Sequence, residues 1–357
     1  MFVALLGCST SSGGGAAPTG DGGAAQDEGT SGDAGVDMPS AHLIIADQFN
    51  NRVIEIDRKG TIVWTFGDGS SSPGAHSVVG PNDAERLPDG DTLISGTGAP
   101  QGPDPTCKTA GGCQDNRVLI VDSSGAIKWQ YGQDGGVAGG GPDQLNAPVC
   151  ARMMPGGNVL IADQGNNRII EVTPSKTIAW QYPADLDAGS PLSGPNSAER
   201  LPSGNTLIAD ENNNRAVEVD HAGNVVWQYP AADGGAASKI GYVAFASRLP
   251  NGNTLITDGM DNRILEVTPQ LTVAWSYDTS KRPGSNASPL PSRAVRLSNG
   301  DTLISDQFND QVIEVDRGGS VVFSYGQITV TGKGPGQLNA PYDAKVIGDF
   351  TGLTAPQ

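Results

Sequence analysis

Six segments of this 357-residue chain repeat one another, and the side chains able to do chemistry stand where the copies disagree. Each copy carries an alanine: Ala84, Ala151, Ala198, Ala246, Ala294 and Ala344. The two positions before it read Asn82-Asp83, Val149-Cys150, Asn196-Ser197, Ala244-Phe245, Ser292-Arg293 and Tyr342-Asp343. Asp83 and Asp343, with Asn82 beside them, form the oxygen-rich set that a hard cation such as calcium takes. Arg293 with Asn82, Asp83, Tyr342 and Asp343 is alternatively an anchor set for a small polar ligand. Rim residues that satisfy one another would leave the same pattern. Convergence of Asp83, Asp343 and Arg293 around a pocket would favour an enzyme or a small-ligand site.

Other reactive side chains are sparse. Of three histidines, His42 and His221 fall in tight turns, and only His76 lies in a long loop. A catalytic reading therefore rests on His76, with Arg293 as its anchor. No Gly-x-Ser-x-Gly elbow and no phosphate-cradling loop occurs. Five glutamates recur in the repeat (Glu55, Glu171, Glu218, Glu266, Glu314), as do four arginines (Arg86, Arg200, Arg248, Arg296). General acid chemistry needs one asymmetric pair rather than five copies. Pairing these charges within a repeat leaves three mismatches, whereas pairing them between neighbours leaves one, so they are expected to tie neighbouring repeats together. Cys107 and Cys113, six apart in TCKTAGGC, fit a small disulfide loop made in an oxidising compartment. Cys150 reads as a small buried side chain.

The elements that position these groups are short strands. Leu249–Tyr277 (LPNGNTLITDGMDNRILEVTPQLTVAWSY) is spelled again at Leu201–Tyr229 and Leu297–Tyr325, with looser copies at Met38–Phe66, Leu87–Tyr131 and Met154–Tyr182. Four strands at a period near 48 residues predict an all-β, six-bladed β-propeller of four-stranded antiparallel blades. One aromatic closes each unit: Trp64, Trp129, Trp180, Trp227, Trp275 and Phe323, expected to pack between blades. The first copy starts at its second strand, and Leu338–Val346 resembles the strand it lacks, so the C-terminal strand should complete the N-terminal blade. Tight turns with Gly60, Gly125, Gly223 and Gly318 fall on one face. The long connections, including a swollen loop across Thr97–Asn116, fall on the other, which is the expected functional face.

Within the second-to-third-strand loops the chain repeats Asp-x-x-Asn-Asn-Arg, from Asp47, Asp163, Asp210 and, with one change, Asp258. Asp and Asn suit such turns, and the arginine can clamp the aspartate. With lead-ins such as GKGPGQLNAP (Gly332–Pro341), this pattern resembles the NHL-repeat family of six-bladed propellers over about residues 38–350. The LPNGNTLI turn and Val-Val-Trp-x-Tyr strand are similar to repeats of bacterial arylsulfotransferase-like propellers. That second resemblance implies a channel histidine nucleophile backed by further histidines, of which this chain offers at most His76. NHL-type lyases imply several metal-binding histidines, and these are absent.

The formal charge of −17 and pI near 4.4 repel phosphate backbones and anionic membranes. Residues 1–8 end in Leu5-Leu6-Gly7-Cys8, a lipobox-like sequence that would lipidate Cys8. Residues 9–37 read as a flexible Gly/Ala/Ser/Asp tether, leaving 38–357 as the propeller. The expectation is an extracytoplasmic, envelope-anchored or secreted monomer with no nucleic-acid partner and no cofactor beyond a calcium ion. It would bind a protein or polymer through its long-loop face. The alternative is a propeller enzyme, either arylsulfotransferase-like through His76 or a metal-assisted hydrolase through Asp83 and Asp343.

Overall fold

The computed structural model describes residues 36–185, 189, 191–230, 239–351, 353 and 355, so Cys8 and all but the end of the tether lie outside it. Six four-stranded antiparallel sheets follow in chain order, each blade running from its innermost to its outermost strand. Blade two is typical in order, with strands Pro81–Arg86, Thr92–Ala99, Cys113–Val121 and Ile127–Tyr131. Blade one is composite: Pro341–Val346 pairs with Leu43–Asp47 in the register Ile44↔Lys345 and Ile45↔Ala344. The expected closure is the observed one.

Burial explains the strand composition. Second strands such as Leu43–Asp47 and Thr206–Asp210 are buried at every residue and read as near-continuous apolar runs. Outermost strands such as Ile62–Phe66 alternate between partly buried and exposed residues. The core is divided into wedges between blades. One wedge joins Leu160 and Ile169 of blade three to Ile208 and Val217 of blade four, and another joins Ile45 and Ile54 of blade one to Leu303 and Val312 of blade six. Each tight third-to-fourth-strand turn holds a left-handed residue. It is Gly60, Gly125 and Gly223 as expected, but Gly319 rather than Gly318 in blade six.

Charged ties reinforce the wedges. Arg86 meets Glu55, Arg200 meets Glu171, Arg248 meets Glu218 and Arg296 meets Glu266 at 2.6–3.0 Å, always across to the preceding blade. Each guanidinium also lies over that blade's tryptophan, 4.4–5.0 Å from the ring centre. At the closing seam Arg58 takes over, pairing with Glu314 and covering Phe323. Between blades two and three both partners change together: Ile120 replaces the glutamate and Met153 the arginine, and they share one apolar cluster with Trp129.

Two outcomes follow from this packing. Removing residues 338–357 strips blade one of its innermost strand, so the truncated protein should lose the cooperative melt of the whole ring in circular dichroism. A truncation that melts like the intact chain contradicts closure. Ile120→Glu should cost about 2 kcal/mol in urea denaturation, because it leaves a partly buried carboxylate unpaired. Adding Met153→Arg should recover most of that loss, which a double-mutant cycle reads directly.

Candidate functional site at the channel mouth

Alternation along the innermost strands aims two side chains per blade at the axis, one on each side of the repeated alanine. The upper layer holds Asp83, Cys150, Ser197, Phe245, Arg293 and Asp343; the lower holds Glu85, Arg152, Glu199, Ser247, Val295 and Lys345. All twelve are buried. The residues expected to form a site do converge: Arg293 Nε lies 2.9 Å from Asp343 Oδ1, and Arg293 Nη2 lies 3.7 Å from Asp83 Oδ1. The space between the two carboxylates belongs to Lys345, whose Nζ reaches Asp83 Oδ1 at 2.5 Å and also bonds Asp343 Oδ2. Arg152 stands 3.8 Å from both Asp83 and Glu85.

One oxygen of each carboxylate also joins blades: Asp83 Oδ2 accepts from Ala151 N, and Asp343 Oδ2, besides Lys345, from Ala84 N. Burial opposes the charged form of Asp83, but Lys345, Arg152 and Arg293 outweigh it and hold the carboxyl well below its usual range. Burial, which its neighbouring cations do not fully offset, pushes Asp343 and Glu85 upward. Phe245 fills the fifth side beneath Arg293, whose guanidinium sits 4.4 Å from the ring centre. Phe350 and Leu353, beyond the last strand, pack against Phe245 and Val295. The axis is thus filled by a network of internal ions and aromatic packing.

Above the network the innermost strands bulge. In blades one to five the register slips at the second position before the alanine, and in blades two and four this re-aims Asn82 and Asn196 toward the mouth. There they meet residues that follow the loop aspartates of blades one, three, four and six, namely Gln48, Gln164, Glu211 and Gln307. Gln307 Nε2 donates to Gln48 Oε1, and Gln48 Nε2 to Asn82 Oδ1. Opposite, Glu211 Oε2 accepts from Gln164 Nε2 at 3.1 Å and from Asn196 Nδ2 at 2.5 Å. Tyr342 reaches from blade one to blade four, where its hydroxyl accepts from Asn196 Nδ2 at 2.7 Å. Burial raises the Glu211 carboxyl to about 7, more than its two amide donors lower it. Burial, with the Glu211 charge, pushes the Tyr342 phenol up as well.

His76 is exposed on the loop before blade two while Arg293 is buried at the axis, so the two are not brought together. Cys107 and Cys113 are bonded to each other and close a hairpin that extends the second and third strands of blade two. Both pack with Phe49, Val79 and Ala340 on the long-loop side. Among the described residues no cluster of three His, Cys, Asp or Glu side chains is arranged to hold a metal. His42 Nδ1 contacts Glu55 just as Asn205 and Asn253 contact Glu218 and Glu266, which fits its place in a tight turn. Lys345, Arg152 and Glu211 were not singled out by the sequence, although each breaks the repeat at its own position.

Replacing Lys345 by Met should cost about 3–5 kcal/mol, because Asp83 and Asp343 then lose the ammonium lodged between them and keep only the arginines beside them. The part of the pH dependence that comes from Asp83 should weaken in this variant. In the native protein Asp83, held low, contributes stability that is present above its unfolded value near 4 and lost as pH falls through the depressed folded value. Without Lys345 the Asp83 carboxyl loses the largest of the attractions that hold it low, so the variant should lose less stability on acidification than the native protein. Urea midpoints measured between pH 3 and 7 decide this.

Among solved structures, a protein of unknown function from Bacteroides caccae is similar at 15% identity, covering 81% of this chain and 97% of its own, with a TM-score of 0.56. Virginiamycin B lyase from Staphylococcus aureus is similar at 14% identity over 70% of each chain, with a TM-score of 0.46. These likenesses concern the propeller fold. No curated protein matches the sequence. The PQQ_2 family model, described as outer membrane protein assembly factor BamB, matches residues 50–249, more than half of the chain, which therefore belongs to that family.

Proposed function

We propose that this protein is a non-catalytic binding module of the bacterial envelope, displayed through a lipid on Cys8 and the following tether, that docks a protein partner on its long-loop face. The observation that carries this reading is the contrast between the filled axis and the elaborated face. The axial carboxylates are paired with internal cations, whereas the long-loop face bears the disulfide-closed hairpin of blade two. Rigid scaffolds commonly present recognition on such loops. The family's description as an outer membrane assembly factor supports an envelope setting. The Asp-x-x-Asn-Asn-Arg loops keep the NHL resemblance as a statement about the scaffold. A calcium ion at Asp83 and Asp343 would have to displace Lys345.

A photo-crosslinking residue at exposed Lys108, within the hairpin, should capture one discrete partner in intact envelopes, while the same residue at Lys59 on the short-turn face should not. Equal yields from both positions, or none from Lys108, would count against this reading.

A further inference from the structure

We infer that the channel mouth between Glu211, Asn196, Gln164 and Tyr342 is a binding site for a primary ammonium group. This deepens the assignment of recognition to the long-loop face and rests on it. The inference comes from counting donors and acceptors. Asn196 Nδ2 spends both hydrogens, on Glu211 Oε2 and on the Tyr342 hydroxyl. Gln164 Nε2 likewise reaches Glu211 Oε2 and Gly194 O. With Glu211 ionised the amide of Asn196 is held this way round, since its oxygen would otherwise face the carboxylate.

What remains at the mouth is almost entirely acceptor. Asn196 Oδ1 is buried, on a residue only 2% exposed, and no hydrogen bond from the described residues reaches it. Buried carbonyl oxygens without a donor are uncommon and call for one from outside the protein. Among the described residues no hydrogen bond is made to Glu211 Oε1 or Gln164 Oε1 either, against two remaining donors, the hydroxyl hydrogens of Tyr342 and Tyr242. An ammonium group offers three donors and no acceptor, the complement of this set. The chain's net charge of −17 adds a favourable long-range field for a cation.

The equivalent position in three other blades is glutamine (Gln48, Gln164, Gln307) and in blade five it is Gly259, so Glu211 is the single carboxylate among these positions. The titratable groups facing it are Tyr342 and Tyr242, both pushed by burial to hold their protons; the permanently charged Arg293 lies near Tyr342. A cation at the mouth favours the ionised form of Glu211, whose carboxyl titrates near 7, so binding should release protons there.

Calorimetric titration of the full chain with n-butylammonium chloride, and with tetramethylammonium chloride at equal ionic strength, tests the site. The primary ammonium should bind saturably and about tenfold more tightly at pH 8 than at pH 6, following the ionised fraction of Glu211. Its enthalpy at pH 7 should depend on the buffer's ionisation heat. E211Q, which installs the residue other blades already carry, should fold normally and abolish both the pH and the buffer dependence. Nα-acetyl-lysine amide binding more tightly than butylammonium would point to a protein lysine as the source, and equal binding to a free amine; both support the site. Equal heats from tetramethylammonium, no saturable binding, or a pH dependence surviving in E211Q would overturn it. These outcomes are independent of partner capture at Lys108. A failure here with capture intact removes the site but leaves the docking face.

Discussion

The ring depends on one hydrogen bond repeated six times between neighbouring blades. The residue that leads into the main pairing of each third strand is left-handed, with φ between 52° and 56°, and is Asn51, Asn116, Asn167, Asn214, Asn262 or Asp310; in blade two it lies within the lengthened strand. Its side-chain oxygen accepts the backbone N–H of the lead-in to the next blade: Gly80, Ala147, Gly194, Tyr242, Leu290 and Ala340, at 2.7–3.1 Å. Asn and Asp are the non-glycine residues that best tolerate this backbone conformation, and they also bring the required acceptor. One residue type thus meets a local and a long-range demand together. The last of the six bonds runs from Ala340 to Asp310, and so seats the strand that completes blade one.

Each of these residues is itself held by an aspartate–arginine clamp, and the exceptions show that the clamp matters more than its spelling. Asp47, Asp163, Asp210 and Asp258 bond the Nε of an arginine five residues on, at 2.7–2.8 Å. Blade two compresses the pattern to Asp115 and Arg117. Blade six has Gln311 where the arginine should be, and Arg282 from the preceding loop supplies the guanidinium to Asp306 instead. Buried carboxylates are costly unless paired, so a lost arginine has to be replaced from somewhere nearby. The same compensation appears where Arg58 serves Glu314, and where Ile120 and Met153 abandon charge together.

This economy explains what the sequence shows plainly and what it hides. Six copies, their closure and the blade-to-blade Glu–Arg pairs are legible because repetition turns a weak local signal into a strong one. The convergence of Asp83, Asp343 and Arg293 is legible for the opposite reason, since they interrupt the repeat. Lys345 and Arg152 follow the alanine by one residue, and the period of two places them on the same side as the residue before it. Their variation carried the information, but the next position, with its arginines, masks it. Glu211 is harder to see because it stands outside the strands and contacts Asn196 only through the bulge. Phe350 and Leu353 follow the last copy, where there is no repetition to read.

Filling the axis also constrains where function can reside. Charges from five blades meet there, and their partners are supplied by the same strands that build the ring, so any change at the axis is also a change in stability. A face made of loops carries no such penalty, because the aspartate clamps and the six inter-blade bonds fix the loop bases while the tips vary in length. Glu211 sits at the boundary between these two regimes: its backbone belongs to the clamped loop, and its carboxylate looks onto the mouth. Changing it from the glutamine of other blades adds a charge without disturbing a strand, which makes it a position where specificity can be altered while the ring is left intact.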